Sequence, residues 1–102
     1  MPEQRVVVVG AGVAGLVSAL ELSHLGLNVT VIDRADTPGG KLHAESVQGH
    51  DIDSGPTVFT MRWVFDELMH GLGLRLDREL KLSPLSVLAR HFWRDRKSTR
   101  LN

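Results

Sequence analysis

An α/β fold built on a parallel strand–helix–strand unit is predicted by three features of the first 33 residues: an unbroken valine run, a glycine-punctuated turn before a helix-period segment, and a second β-branched run. Arg5 to Val9 holds four consecutive valines, whose χ1 preference suits a strand, and the absence of polar alternation suits one covered on both faces. A run of this length also fits buried helix. Gly10, directly after it, decides for a strand that ends in a turn. From Val13 to Leu25 apolar residues return at helical spacing (Leu16, Ala19 or Leu20, then Leu22 or Ser23), leaving Glu21 and His24 for the outer face. Gly26 then stops the helix, because it takes positive φ without a Cβ penalty. Asn28 to Ile32 reads as the second strand, ending at Asp33. Two strands joined through a helix in this order form a right-handed crossover with parallel pairing.

Composition narrows the functional classes. The chain has 102 residues, 42% hydrophobic and 24% charged, as in ordinary globular domains. Lys plus Arg equals Asp plus Glu at 12 each, so global charge gives no reason to expect nucleic acid or acidic lipid. Cysteine is absent, which excludes disulfides, thiolate metal sites and thiol nucleophiles. The longest apolar-rich stretch, Val13 to Leu22, is far below the roughly 20 residues needed to cross a bilayer. Met1-Pro2-Glu3-Gln4 runs straight into the first strand without the pattern of a secretory signal, so a cytoplasmic or peripherally attached protein is expected.

The turn carries the chemistry. Gly10, Gly12 and Gly15 spell GxGxxG between the strand and the helix. The first glycine permits the sharp turn, the second lets backbone amides approach a pyrophosphate, and the third lets helix and strand pack closely. Unpaired N–H groups and the positive end of the helix dipole favour phosphate there, which makes Gly10, Ala11, Gly12, Val13, Ala14 and Gly15 the candidate contacts. Ala19 is small where the helix crosses the sheet. Asp33 lies about 20 residues beyond the glycines, where an acid accepts a ribose hydroxyl. Its carboxylate would repel a 2′-phosphate, which disfavours NADP. Arg34 reads as a solvated loop charge or a stack on the adenine.

Pro38-Gly39-Gly40-Lys41 brings a second loop with two glycines, able to approach the phosphates with Lys41 as counter-charge. This loop favours FAD over NAD as the cofactor. Ser46 to Ile52 reads as an irregular strand and Asp53-Ser54-Gly55-Pro56-Thr57 as a turn. On residues alone, that turn is equally punctuation or a ligand loop. Met61, Val64, Phe65, Leu68 and Leu72 share one helical face, with Arg62, Asp66 and Glu67 away from it, and such a stripe reads by default as core. Leu85 to Phe92 reads as a further strand. The histidines His24, His43, His50, His70 and His91 have no paired metal-ligand spacing, and surface or loop positions are their default.

Val6 to Lys41 resembles the N-terminal signature of the flavoprotein amine oxidase and phytoene desaturase superfamily, in which GxGxxG is followed by an acid and then by GG-Arg or GG-Lys. Asp51-Ile52-Asp53-Ser54-Gly55-Pro56-Thr57 resembles the D-x-G-P-T segment of bacterial carotenoid desaturases. Residues Thr57 to Phe65, with Leu88-Ala89-Arg90-His91-Phe92-Trp93, are most similar to the 1-hydroxycarotenoid 3,4-desaturase (methoxyneurosporene dehydrogenase) branch. The resemblance implies FAD as cofactor. Gly10, Gly12 and Gly15 would then face the pyrophosphate and Asp33 the adenosine ribose. Gly40, Lys41 and Leu42 would lie along the phosphates and ribityl chain, and Gly55, Pro56 and Thr57 at the flavin end. Most members of the superfamily carry Glu in place of Asp33 and many carry Arg in place of Lys41; both differences keep the charge, while Lys lacks the bidentate fork.

The implied function is an oxidoreductase that introduces C=C bonds into an acyclic 1-hydroxy or methoxy carotenoid, with a lipophilic polyene as substrate, no nucleic-acid partner and peripheral membrane contact by the parent protein. Under this resemblance the Met61–Leu72 stripe has a rival reading, the wall of a polyene tunnel. Phytoene desaturase, carotene isomerase and amine oxidase are alternatives that use the same cofactor site. A flavin-free prenyl-escort protein of the Rab GDP-dissociation-inhibitor type fits less well, having no need for the glycine fingerprint, Asp33 and the Gly39-Gly40 pair together. Catalytic residues cannot be named from this segment.

By this reading residues 1–82 belong to the cofactor domain and 83–94 begin a substrate domain. Asp95 to Asn102 reads DRKSTRLN, the translation of GATCGGAAGAGCACACGTCTGAAC, which looks like a sequencing-library adapter; a non-native tail is therefore expected from about Asp95. A parallel sheet of two or three strands is then incomplete. Because ordering each residue costs about 1–2 kcal/mol, the chain alone is expected to be marginally folded and inactive.

Overall fold

The structure, a computed structural model, describes residues 3–94 and the backbone of residues 98–101. Strand β1 (Arg5–Val9), helix α1 (Val13–His24) and strand β2 (Asn28–Ile32) form the predicted βαβ unit. The two strands pair in parallel, with Arg5 opposite Asn28 and Val9 opposite Ile32. Helix α1 ends one residue earlier than predicted, with Leu25 as its cap. Gly26 follows at φ 89°. The N–H groups of Gly26 and Leu27 bond back to the carbonyls of Ser23 and Leu22, a Schellman closure that satisfies the last carbonyls.

Packing in this unit is one-sided. Val6, Val8, Val29 and Val31 are half-buried on the face toward α1, where Ala19 is buried. The opposite face is bare, with Val7 59% and Val9 80% exposed. The expectation of a strand covered on both faces is therefore corrected: β1 pairs with β2 alone among the described residues, and nothing lies across its second face.

Beyond Asp33 the irregular strand expected over Ser46–Ile52 is instead an antiparallel hairpin of β3 (Ala44–Val47) and β4 (His50–Asp53). Gln48 and Gly49 form its two-residue turn at φ 49° and 80°. Positive φ at both positions is the type I′ requirement, matched to strand twist.

Helix α2 (Arg62–Gly71) carries the apolar stripe, followed by the short α3 (Leu76–Glu79), which the sequence reading had not placed. Gly73 at φ 74° turns the chain between them. The bonds Gly73 N–H to His70 O and Leu74 N–H to Met69 O close α2 by a second Schellman motif. The default assignment of the stripe to a core is corrected as well. Met61 and Val64 are exposed, and Phe65, Leu68 and Leu72 only half-buried, because α3 is the sole element packed on α2 among the described residues. The strand expected over Leu85–Phe92 is confined to β5 (Ala89–Phe92), which pairs antiparallel with β6 (Ser98–Leu101). The tail reading from Asp95 concerns residues 95–97 and 102 as well, and these lie outside the described residues.

Three element groups result, β1–α1–β2, β3–β4 with its loops, and α2–α3, with the β5–β6 pair beyond. The radius of gyration is 18.4 Å. A compact domain of this length has about 13 Å. Among the described residues, Ala11, Ala19 and Leu76 are the buried apolar side chains, too little to form one common core.

Candidate dinucleotide-binding site

The glycine turn is shaped by backbone collisions that only glycine avoids. A Cβ on Gly15 would collide with the carbonyl oxygen of Gly10, so the third glycine sets how closely α1 approaches the end of β1. Gly10 takes φ 110°, and its N–H donates to Ile32 O at 2.7 Å, holding the turn to the end of β2. Space beside Gly12 is open, with no atom within 4 Å of the position a Cβ would take.

Helix α1 starts without compensation. Gly12 caps it in an extended conformation, with no side-chain hydrogen bond and no acidic residue in the first turn. Its first bond, Leu16 N–H to Gly12 O, is 2.9 Å long and leaves the N–H groups of Val13, Ala14 and Gly15 without a helical partner. These donors and the positive helix end suit an anion.

Asp33 closes one side of the turn. Its Oδ2 accepts the Ala11 N–H at 2.7 Å and its Oδ1 accepts the Ala35 N–H at 2.8 Å. The bond from Ala35, then that from Ala11, holds this carboxyl below its ordinary value of 3.8, with a smaller contribution from Arg34. Arg34 itself is exposed.

The second glycine loop docks on the first. Gly39 N–H donates to Ala11 O at 2.8 Å, and a Cβ on Gly40 would come within 3.0 Å of the Gly12 Cα. Both glycines take positive φ, 122° and 58°. A third loop follows by the same device. A Cβ on Gly55 would collide with Lys41 O, while Ser54 donates its N–H and Oγ–H to His43 O at 2.9 and 3.2 Å. Gly10 to Gly15, Asp33, Gly40, Lys41 and Gly55 therefore form one continuous backbone cradle, with Leu42, Pro56 and Thr57 adjoining along the chain. Sequence reasoning had missed the Ser54–His43 anchor and the double engagement of Ala11. The close approach of Gly40 and Gly55 was signalled only by their being glycines.

From Thr57 the chain borders an open cavity of about 570 Å³, walled by Val58, Phe59, Met61, Leu82, Leu85 and Leu88. Phe59 and Phe65 stack at 4.7 Å between ring centroids, joining this wall to α2. Elsewhere, His43 pairs with Glu45 at 2.7 Å on the exposed hairpin.

A family of NAD(P)-binding Rossmann-like domains matches residues 8–72, which include every element of the cradle from Gly10 to Thr57. The chain belongs to the NAD(P)-binding Rossmann-like domain family. Its dinucleotide class follows from that membership and from the glycine turn. This Rossmann-like chain is 60% identical over 90 residues to hydroxyneurosporene desaturase of Rubrivivax gelatinosus, covering 88% of the chain and 17% of the relative. It is 49% identical over 96 residues to hydroxyneurosporene desaturase of Rhodobacter capsulatus, covering 94% and 19%. Against the 1-hydroxycarotenoid 3,4-desaturase of Flavobacterium sp. it is 35% identical over 92 residues, covering 90% and 19%. The chain thus spans less than a fifth of the length of these relatives. No helix among the described residues is long and apolar enough to cross a membrane.

Proposed function

We propose that this chain is part of the cofactor domain of a longer FAD-dependent desaturase, acting on an acyclic 1-hydroxy or methoxy carotenoid. The observation that carries the reading is the three-loop cradle. Gly12 receives Gly40 through a contact that a Cβ would crowd, and Lys41 receives Gly55 through one that a Cβ would block. Such a run of glycine contacts suits a long, extended ligand that needs backbone close to it at several points, as FAD does. Under this reading Gly10, Ala11, Gly12, Val13, Ala14 and Gly15 line the pyrophosphate, with the N–H groups of Val13 to Gly15 as donors. Asp33 takes the adenosine ribose and Arg34 flanks the adenine. Gly40, Lys41 and Leu42 follow the phosphates and ribityl chain, and Gly55, Pro56 and Thr57 reach the flavin end.

Bound FAD would supply the two-electron oxidation that forming a C=C bond requires. The chain's own residues bind and orient it. The apolar cavity beginning at Thr57 supports a lipophilic substrate at that end. Likeness to desaturases that act on hydroxylated carotenoids points the same way. Residues 83–94 begin the substrate domain and the segment from about Asp95 is a non-native tail in this proposal. The parent acts at the inner face of the bacterial membrane, where its substrate resides.

The test is turnover by the full-length protein carrying residues 1–94. Conversion of a 1-hydroxylated acyclic carotenoid to a product with one further C=C bond is the expected result. Turnover of phytoene alone, or of amines, would replace this reading with one of its neighbours in the superfamily.

A further inference from the structure

Ala11 is the best-buried residue of the glycine turn, 6% exposed, and both its backbone polar groups are engaged by other loops. Its N–H goes to Asp33 and its carbonyl accepts from Gly39. Neither bond lies within a helix or strand, so the β1–β2 ladder does not enforce them. The donors left for a phosphate begin after Ala11, and their direction depends on how this peptide is held.

We propose that Asp33, besides serving as the ribose acceptor, is the positioning residue of the glycine turn: its carboxylate holds the Ala11 N–H and so aims the donors of Val13 to Gly15 before any dinucleotide arrives. The proposal rests on the reading of this cradle as a dinucleotide site, whereas the two hydrogen bonds of Asp33 are structural observations that do not depend on that reading. Asp33 reaches Ala11 while its other oxygen is fixed by Ala35, so the carboxylate is triangulated between two backbone amides. Each oxygen retains a second lone pair for a ribose hydroxyl. Charged groups near it are few. The turn from Gly10 to Gly15 contributes none, and the loop after β2 contributes Arg34, Asp36 and Lys41. Arg34 is the one that acts on the carboxyl.

A role confined to ribose recognition and a role in positioning predict opposite signs for one simple probe. With inorganic pyrophosphate as ligand, Asp33→Asn removes a negative charge near an anion and would leave affinity unchanged or raised if Asp33 only contacts ribose. Under the clamp, the turn loses its aim and pyrophosphate binding weakens by several-fold.

The experiment uses ¹⁵N-alanine labelling of the full chain, where Ala11 and Ala35 are the two clamp partners and Ala19 and Ala89 are remote controls. Without ligand, the Ala11 and Ala35 amide shifts should titrate together with a midpoint below 3.8, while Ala19 and Ala89 do not follow. In Asp33→Asn the Ala11 amide should exchange with solvent on the order of tenfold faster, with Ala19 unchanged. If that variant loosens the whole unit, so that Ala19 also loses protection, the wild-type titration decides by itself. An Ala11 amide that fails to titrate with Ala35, or unchanged or tighter pyrophosphate binding in a folded Asp33→Asn, overturns the clamp. Failure of FAD to bind a chain whose Ala11 does titrate would overturn the proposed cofactor and leave the clamp standing.

Discussion

Residues 5–57 and residues 58–93 hold their structure by different means. In the first region, position is set by backbone: a five-pair parallel ladder, one glycine loop docked on the turn and a second docked on that loop, and a carboxylate that bonds two amides. Most of these contacts join residues far apart in sequence, and they are made although Val7, Val9 and Ile32 lie bare. In the second region, position depends on side chains that have little to pack against. Trp63, Leu85, Phe92 and Trp93 are all exposed, and Leu76 is the one buried side chain. Glycine-determined geometry survives when a sheet is only partly built. Apolar faces acquire meaning only from what covers them.

The widest separation between the regions comes from Gly15→Val. Its Cβ would strike the Gly10 carbonyl, so α1 must leave the sheet, at a cost of about 3 kcal/mol or more. Loss of helical circular dichroism and of the β1–β2 amide protection would report it, and retention of both would mean that this glycine does not govern packing. Gly55→Ala tests the cradle rather than the unit. The new methyl meets Lys41 O, so the Gly55–Thr57 loop must move away while β1–α1–β2 stays intact. FAD affinity of the full-length protein should fall more than tenfold with unchanged far-ultraviolet circular dichroism.

On the proposed reading Asp33→Ala removes a ribose acceptor and the Ala11 clamp together, and FAD affinity should fall at least tenfold; an unchanged Kd would exclude Asp33 from the site. Acid gives the same residue a graded test. Since the folded state lowers this carboxyl below 3.8, its contribution to stability is complete above that value and is lost as pH falls through the lower folded value. Cofactor release should therefore steepen below about pH 4, and this acid step should vanish in Asp33→Asn. The smallest effect belongs to Trp93→Ala in the exposed second region, expected within about 0.5 kcal/mol of wild type in a denaturant titration.

The same division explains what the sequence made legible. The βαβ unit could be read because valine runs, a helical period and glycines act over short distances, and Asp33 could be placed because it ends a strand of known length. The hairpin was misread because Gln48 lacks the Asn or Asp that usually announces a type I′ turn, although Gly49 supplied half of the signal. The apolar stripe of α2 was read correctly as a helix face and incorrectly as core, since periodicity shows which residues share a face and not what faces them. The clamp on Ala11 was beyond sequence reasoning, because nothing in an alanine reveals that two loops converge on its peptide groups.

The most direct test of the cradle is the absorption spectrum of the purified full-length protein, followed by release and identification of its bound nucleotide. Flavin bands from a bound species that proves to be FAD, lost in Gly55→Ala and weakened in Asp33→Ala, are the predicted result. A protein that carries no flavin and binds NAD through the same turn would contradict the account.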